Sequence, residues 1–372
     1  MPCRIPVRKI DAAGRIRAHG GDVAEASRVF GIKEDSLVDF SSNVNSSRLP
    51  PDVVRAICGN MRNITRYPDR RCSGLLKALG GYLRIGAGHI AAGNGSADIL
   101  YRLARALNID TGLVVSPSFG EYEKALWEAG ARVKPIFTKE KYGFMPDARE
   151  IIKNAVGPVN AVFLCNPNSP TGALMPGKDV EMLVWHLRRR KVALVLDEAF
   201  IEFAKERSLA GFAASSSNLI VLRSMTKFFG LAGLRLGYAV GPAEIIERLK
   251  NSGQPWPVNI FAQAAGEAML RNKDFLASSR RKILKERDFL YGRLRGIKGI
   301  KAFPSQANFI MAKIENSLSS VKLQERLAKS GLLIRACSDF TGLGDKYFRI
   351  AVRKRVDNLR LIRQLESVFG RE

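Results

Sequence analysis

The feature that most constrains this chain is an alternation between amphipathic segments and short apolar runs with no polar break. Val180, Leu183, Val184 and Leu187 recur at the spacing of one helical face, and Val192 to Leu196 follow almost at once as an unbroken apolar run. The first pattern buries one stripe of a helix, whereas a run apolar at every position suits a strand covered on both faces. Leu113 to Val115, Ala161 to Leu164 and Leu219 to Leu222 repeat the run, with helical patterns between them. A mostly parallel central sheet with helices on both sides is therefore expected, an α/β fold.

After Pro257 the pattern changes to a long charged helical stretch, Ala262 to Arg295, followed by strand candidates near Asn308 to Lys313 and Tyr347 to Val352. This predicts a smaller α+β domain. The segment before Asn45 carries one short helix, Asp22 to Phe30 stopped by Gly31, and is expected to pack with it. The expected division is a large domain over 46–260 and a small one from 1–45 with 261–372, consistent with the two or three domains that 372 residues suggest.

Composition narrows the partners. No apolar stretch reaches the ~18 residues of a membrane span, and the basic N-terminus lacks the apolar run of a secretory signal, so a cytoplasmic location is expected. Cys3, Cys58, Cys72, Cys165 and Cys337 are scattered and form no CxxC pair, which predicts free thiols and no metal site. Sixty Lys and Arg against 35 Asp and Glu give a net charge of +25. Basic clusters at His186 to Lys191 and Arg280 to Lys301 raise nucleic-acid binding as one reading. They lie on amphipathic helical patterns with no nucleic-acid motif, so a solvated face is preferred, one that would also attract an anionic substrate.

In parallel α/β sheets, ligands gather beyond the carboxyl ends of the strands. Four strand candidates end in polar or Gly-rich segments: Ser116 to Phe119, Cys165 to Gly172, Asp197-Glu198 and Arg223 to Lys227. Gly93-Asn94-Gly95-Ser96-Ala97 opens a helix whose free N–H groups could hold a phosphate. Lys227 alone would read as a surface amine. It sits, however, in Ser224-Met225-Thr226-Lys227-Phe228-Phe229-Gly230-Leu231-Ala232-Gly233-Leu234-Arg235-Leu236-Gly237-Tyr238, with a hydroxyl three residues before it and an arginine eight after. This string resembles the pyridoxal-phosphate lysine segment of fold-type I aminotransferases and decarboxylases. NPNSPTG, DEAF and a late FRIAV accompany it in that family's order.

The resemblance implies the fold-type I fold, pyridoxal 5'-phosphate as cofactor and a set of roles. Lys227 would hold the cofactor, with its amine pKa depressed by desolvation and Arg235. Asp197 would face the pyridine nitrogen and keep it protonated, its other reading being a helix N-cap. Ser224, Arg235 and the Ser96-Ala97 backbone would bind the phosphate, with Gly95 and Thr226 beside them, and Phe119 would stack on the ring. Ser169 and Phe200 occupy positions where relatives present an asparagine and a tyrosine to the cofactor's phenolic oxygen. Tyr67, in Arg66-Tyr67-Pro68-Asp69, matches a tyrosine that reaches the phosphate from a partner subunit, which implies a homodimer.

At the chain ends the resemblance narrows. His19-Gly20-Gly21, Asp39-Phe40-Ser41-Ser42-Asn43-Val44-Asn45, Pro255 to Asn259 and Leu333 to Ser338 are similar to the threonine-phosphate decarboxylases of cobalamin biosynthesis. Decarboxylation of O-phospho-L-threonine to (R)-1-amino-2-propanol O-2-phosphate is thereby implied. His19, Asn43, Arg335 and Arg349 match substrate contacts, the arginines being suited to carboxylate or phosphate through their planar fork. Histidinol-phosphate aminotransferase and phosphoserine decarboxylase remain the alternatives.

Overall fold

The computed structural model describes residues 20–370. Its strands, in chain order, are β1 (Val38–Asp39), β2 (Ile90–Gly93), β3 (Thr111–Ser116), β4 (Arg132–Phe137), β5 (Ala161–Cys165), β6 (Ala193–Asp197), β7 (Leu219–Ser224), β8 (Gly237–Val240), β9 (Ile300–Ala302), β10 (Phe309–Ile314), β11 (Leu332–Leu333), β12 (Arg335–Ala336) and β13 (Tyr347–Ala351). Seven of them form the central sheet in the order β2-β8-β7-β6-β5-β3-β4. Only β8 runs against its neighbours, so the mostly parallel sheet expected from the apolar runs is what forms.

The runs are apolar throughout because both faces of the sheet are covered. Val162, Leu164, Leu194, Leu196, Leu219 and Val221 belong to one core cluster, while Phe163, Cys165, Val195, Ile220 and Leu222 belong to the other. Strand alternation sends successive side chains to opposite sides. The Gly177–Arg189 helix buries the stripe read from its spacing, Val180, Leu183, Val184 and Leu187.

One expectation is corrected. The helical stretch over Ala262 to Arg295 is two helices, Ile260–Arg271 and Lys273–Arg295, broken at Asn272. Asn272 leaves helical backbone at ψ 61, and its Nδ2 donates to the Ala268 carbonyl and to Asp52 Oδ2. An asparagine side chain competing for backbone partners explains the break. The first helix packs against Pro51–Gly59 and Ser73–Leu83, the second against β9 and the Arg355–Phe369 helix.

A second, antiparallel sheet has the order β12-β13-β10-β9. Near the N-terminus the Val23–Phe30 helix is capped by Asp22, whose side chain accepts from Glu25 N, and is ended by Gly31 at φ 64. The chain then adds β1 in parallel to β11, which joins the N-terminal segment to the C-terminal region. Glu140 ties the loop after β4 to the small sheet through Lys301, Lys313 and the Tyr347 hydroxyl at 2.8, 2.8 and 2.6 Å. Among the described residues no helix is long and apolar enough to cross a membrane. Cys58, Cys72, Cys165 and Cys337 are free thiols, and Cys3 lies outside the described residues.

Candidate active site

The topology brings the expected residues to one edge. Strands β2, β3, β5, β6 and β7 all point their carboxyl ends the same way, and the reversed β8 begins there, with Gly237 opposite both Gly93 and Ser224. Gly95, Phe119, Ser169, Asp197 and Lys227 therefore leave the sheet on one side, and Arg235 enters β8 at that side.

At the β2 end, Gly95 starts the Gly95–Ala106 helix with φ +85, a conformation glycine tolerates best. Asn94 supplies no side-chain cap, so the first-turn amides of this helix are open to an outside acceptor. A Cβ on Gly95 would lie 3.0 Å from Arg235 Nη2, which places the guanidinium against those amides. Ser224 Oγ and Thr226 Oγ1 are 2.7 Å apart at the end of β7. Backbone donors, an arginine and hydroxyls of this kind suit a phosphate.

Lys227 follows directly. Its carbonyl accepts from Asn45 N at 3.0 Å, and Asn45 Nδ2 donates to Phe228 O, so the N-terminal segment holds the lysine loop. Lys227 keeps some solvent access, yet protein atoms crowd its amine. Desolvation first, then Arg349 and Arg235, lower its pKa to about 8, opposed by Asp197.

Asp197 is buried at the end of β6, and burial pushes its carboxyl up. Two donors oppose that push: Ala199 N on Oδ1 at 2.9 Å and the Tyr122 hydroxyl on Oδ2 at 2.6 Å. It caps no helix, since the next helical turn, Ile201–Phe203, starts from Phe200. On the other side of the sheet, the neighbouring Glu198 meets the buried Arg223 at 3.4 Å, and Arg223 also pairs with Glu202. This ionic group welds the ends of β6 and β7 beneath Asp197 and Ser224.

Opposite the lysine, Arg349 on β13 is 7% exposed and donates to Ser169 Oγ at 2.9 Å and to the Ser41 carbonyl at 3.1 Å. Its Nε has no partner and it pairs with no carboxylate among the described residues. Desolvation lowers its pKa to about 10. Arg335 stands directly across from Arg349 in the β12–β13 register, with its Nη2 on Asp339 at 2.7 Å. Asn43 is buried, its Oδ1 unpartnered. Ser169 uses its oxygen to accept from Arg349 and keeps a proton to donate. Phe200 offers only its ring and packs edge-on against Phe309.

Two expected residues are not placed in this cluster. Tyr67 is 78% exposed and stacks on Trp256 with ring centroids 4.3 Å apart. His19 lies outside the described residues, but its neighbours are informative. A Cβ on Gly20 would meet the Ser41 carbonyl at 2.1 Å, and Gly21 N donates to Ser41 Oγ, so Gly20 presses against the carbonyl that Arg349 also uses while Gly21 holds the hydroxyl of the same residue. Tyr122 and Asn45 were missed from the sequence. Asn45 ends the DFSSNVN string, whereas nothing in one sequence separates Tyr122 from an ordinary core tyrosine.

The chain is an enzyme of the aminotransferase class I and II family, whose model matches residues 35–365 and whose members depend on pyridoxal phosphate. Within that family it is 33% identical over 357 residues to the threonine-phosphate decarboxylase of Salmonella typhimurium (strain LT2), covering 95% of this chain and 96% of that protein. The histidinol-phosphate aminotransferase of Clostridium acetobutylicum superposes with a TM-score of 0.85 at 31% identity, over 90% of this chain and 100% of that one. The L-threonine-O-3-phosphate decarboxylase of Porphyromonas gingivalis superposes with a TM-score of 0.79 at 25% identity, over 89% and 99%.

The residues present fit the family's cofactor. The helix with no side-chain cap beside Arg235 would take its phosphate, Asp197 its ring nitrogen, Phe119 its face and Lys227 its aldehyde carbon.

Proposed function

We propose that this chain decarboxylates O-phospho-L-threonine with pyridoxal 5'-phosphate, giving (R)-1-amino-2-propanol O-2-phosphate for the cobalamin nucleotide loop. The observation that carries the reading is the pair Arg335 and Arg349, opposed in register, with Arg349 close enough to Lys227 to depress its amine pKa, buried, and paired with no carboxylate among the described residues. Like charges facing each other across a ladder are destabilising unless something anionic joins them. A phospho-amino acid brings two anions. The decarboxylase relatives and the packing of Gly20 and Gly21 on Ser41 support this substrate over histidinol phosphate.

Bound pyridoxal phosphate supplies an electron sink for the pair left on the substrate's α-carbon. The chain's own residues do the rest. Arg335 and Arg349 hold the substrate's carboxylate and phosphate, with Asn43 beside them and His19 in the phosphate role its motif implies. Asp197 keeps a negative charge against the ring nitrogen. Lys227 Nζ, with a pKa of about 8, is able to take up and return a proton near neutral pH, as delivery of a proton to the α-carbon after CO2 leaves requires.

The same reading makes the enzyme a cytoplasmic homodimer. Tyr67, which would cross to the partner's phosphate site, is exposed and stacks on Trp256, and Met61 and Ile64 shortly before it in the chain are exposed as well. The decisive experiment incubates the holoenzyme with phosphothreonine, phosphoserine and histidinol phosphate, each with and without 2-oxoglutarate, and identifies products by mass. Release of CO2 and aminopropanol phosphate is expected. Keto products with glutamate and no CO2 would establish the aminotransferase alternative, and borohydride reduction that leaves no pyridoxyl group on Lys227 would remove the cofactor assignment.

A further inference from the structure

We propose that Tyr122 is a positioning residue that sets two of the protein contacts of the cofactor's ring, its hydroxyl orienting Asp197 and its ring edge bracing Phe119. This rests on the cofactor reading above.

The geometry starts in the turn after β3. Tyr122 N donates to the Phe119 carbonyl at 3.2 Å, one turn back, so the two side chains leave the same piece of backbone. Their rings meet edge to face at 84° with centroids 5.7 Å apart. Such a contact is favourable beyond the area it buries and limits how far the Phe119 ring can tilt. Tyr122 is itself fixed, being 1% exposed and packed on Phe163 at 5.9 Å under the sheet edge. From there its hydroxyl reaches across to β6 and Asp197 Oδ2 at 2.6 Å.

The consequence for Asp197 follows from its surroundings. The titratable groups around it are Tyr122, Lys227 and Cys165, the last directly opposite in the β5–β6 register. Burial drives the carboxyl toward its neutral form, and the Tyr122 hydroxyl is the largest of the opposing influences. Burial also pushes the phenol well above its ordinary value, so it stays protonated and donates throughout the working range. With Ala199 N on one oxygen and Tyr122 on the other, the carboxylate cannot rotate, and its remaining lone pairs are left for a third donor. One side chain thus couples the charge under the ring nitrogen to the wall beside the ring face.

Tyr122→Phe separates the two parts, since it keeps the ring edge and removes the hydroxyl, whereas Tyr122→Leu removes both. Losing a hydrogen bond to a charged group corresponds to about a tenfold to hundredfold effect. Tyr122→Phe is therefore expected to raise the pyridoxal-phosphate Kd by about tenfold or more. With 15N-labelled cofactor, it should also move the ring-nitrogen resonance toward the neutral pyridine value, in the direction given by Asp197→Asn. Tyr122→Leu should further increase the cofactor off-rate.

In an Asp197→Asn background, Tyr122→Phe should cost little more, because the hydroxyl acts through the carboxylate. That double variant also lacks the buried charge that could unfold the single one, so it carries the test if Tyr122→Phe alone does not fold. A 15N shift and Kd unchanged within twofold in Tyr122→Phe, or a further tenfold loss in the double variant over Asp197→Asn, would overturn the inference. A wild-type protein that binds no cofactor would instead overturn the function proposed above.

Discussion

Arg335 already carries a counter-ion of the protein's own. Asp339 lies 2.7 Å away, with its side chain 48% exposed against 13% for Arg335. A substrate anion that uses Arg335 must displace this carboxylate or share the guanidinium with it. Asp339→Asn keeps the shape and removes the competing charge. Because one partner is half in solvent, the pair is worth only about 0.2–1 kcal/mol, so KM for phosphothreonine should fall by about 1.4- to 5-fold. The gain should shrink as salt rises, since exposed charges are screened over about 10 Å at 0.1 M. Initial rates of CO2 release at two ionic strengths, with free threonine as the substrate lacking phosphate, measure it. A KM that rises in Asp339→Asn would refute the reasoning, because Asp339 would then be orienting Arg335 for substrate. An unchanged KM would take Arg335 out of the anion site.

Three further outcomes are expected. Arg349→Gln should raise the Lys227 pKa above about 8, since Arg349 is the strongest charge depressing it; the pH midpoint of cofactor uptake should move upward with it, and a fixed midpoint would place Arg349 away from the amine. Mixed dimers of inactive Lys227→Ala and inactive Tyr67→Phe chains should regain activity through the one site with both residues intact; no recovery despite proven subunit exchange would keep Tyr67 within its own chain. Glu140→Gln should lower stability at neutral pH by about 1 kcal/mol after allowance for solvent screening. Against the upward push of partial burial, hydrogen bonds from Lys301, Lys313 and Tyr347 bring its carboxyl down to about 2. A depressed carboxyl stabilises the fold above its unfolded pKa of about 4.5, and that contribution is lost as pH falls toward 2. The Gln variant should therefore differ from wild type at pH 7 and converge with it near pH 2, as thermal melts would show.

The central sheet was legible because burial on both faces leaves a mark that a chain cannot hide: β5, β6 and β7 are apolar up to their carboxyl ends, where Asp197 and Arg223-Ser224 announce the site. The Asn272 break was not legible, because its cause is a side chain reaching Asp52, far away in sequence. Tyr122 was hidden for the same reason. Its spacing from Phe119 reads as one helical turn of core, and only the folded sheet brings it to Asp197. By contrast, the two glycines after His19 could be seen but not explained, until Gly20 proved to lie against the Ser41 carbonyl with no room for a Cβ. Local pattern reports what each segment buries; which polar groups meet is decided by register and chain crossing.

Register also gives the site its charge. Lys227 feels Arg349 and Arg235 as like charges, Arg335 faces Arg349 across the ladder, and against these cations stand Asp197, Asp39 and the half-exposed Asp339. Cations held together in partial burial raise the energy of the free enzyme, and each anion that enters recovers some of it. A cofactor phosphate at Arg235 would satisfy one of them. A substrate anion at Arg349 would meet a guanidinium that pairs with no carboxylate among the described residues, whereas one at Arg335 would share its guanidinium with Asp339. Because anion binding relieves this repulsion, binding and folding are linked: cofactor at a hundred times its Kd would add about 2.7 kcal/mol of stability. The same excess of positive charge would select a doubly anionic substrate over a neutral or singly charged one.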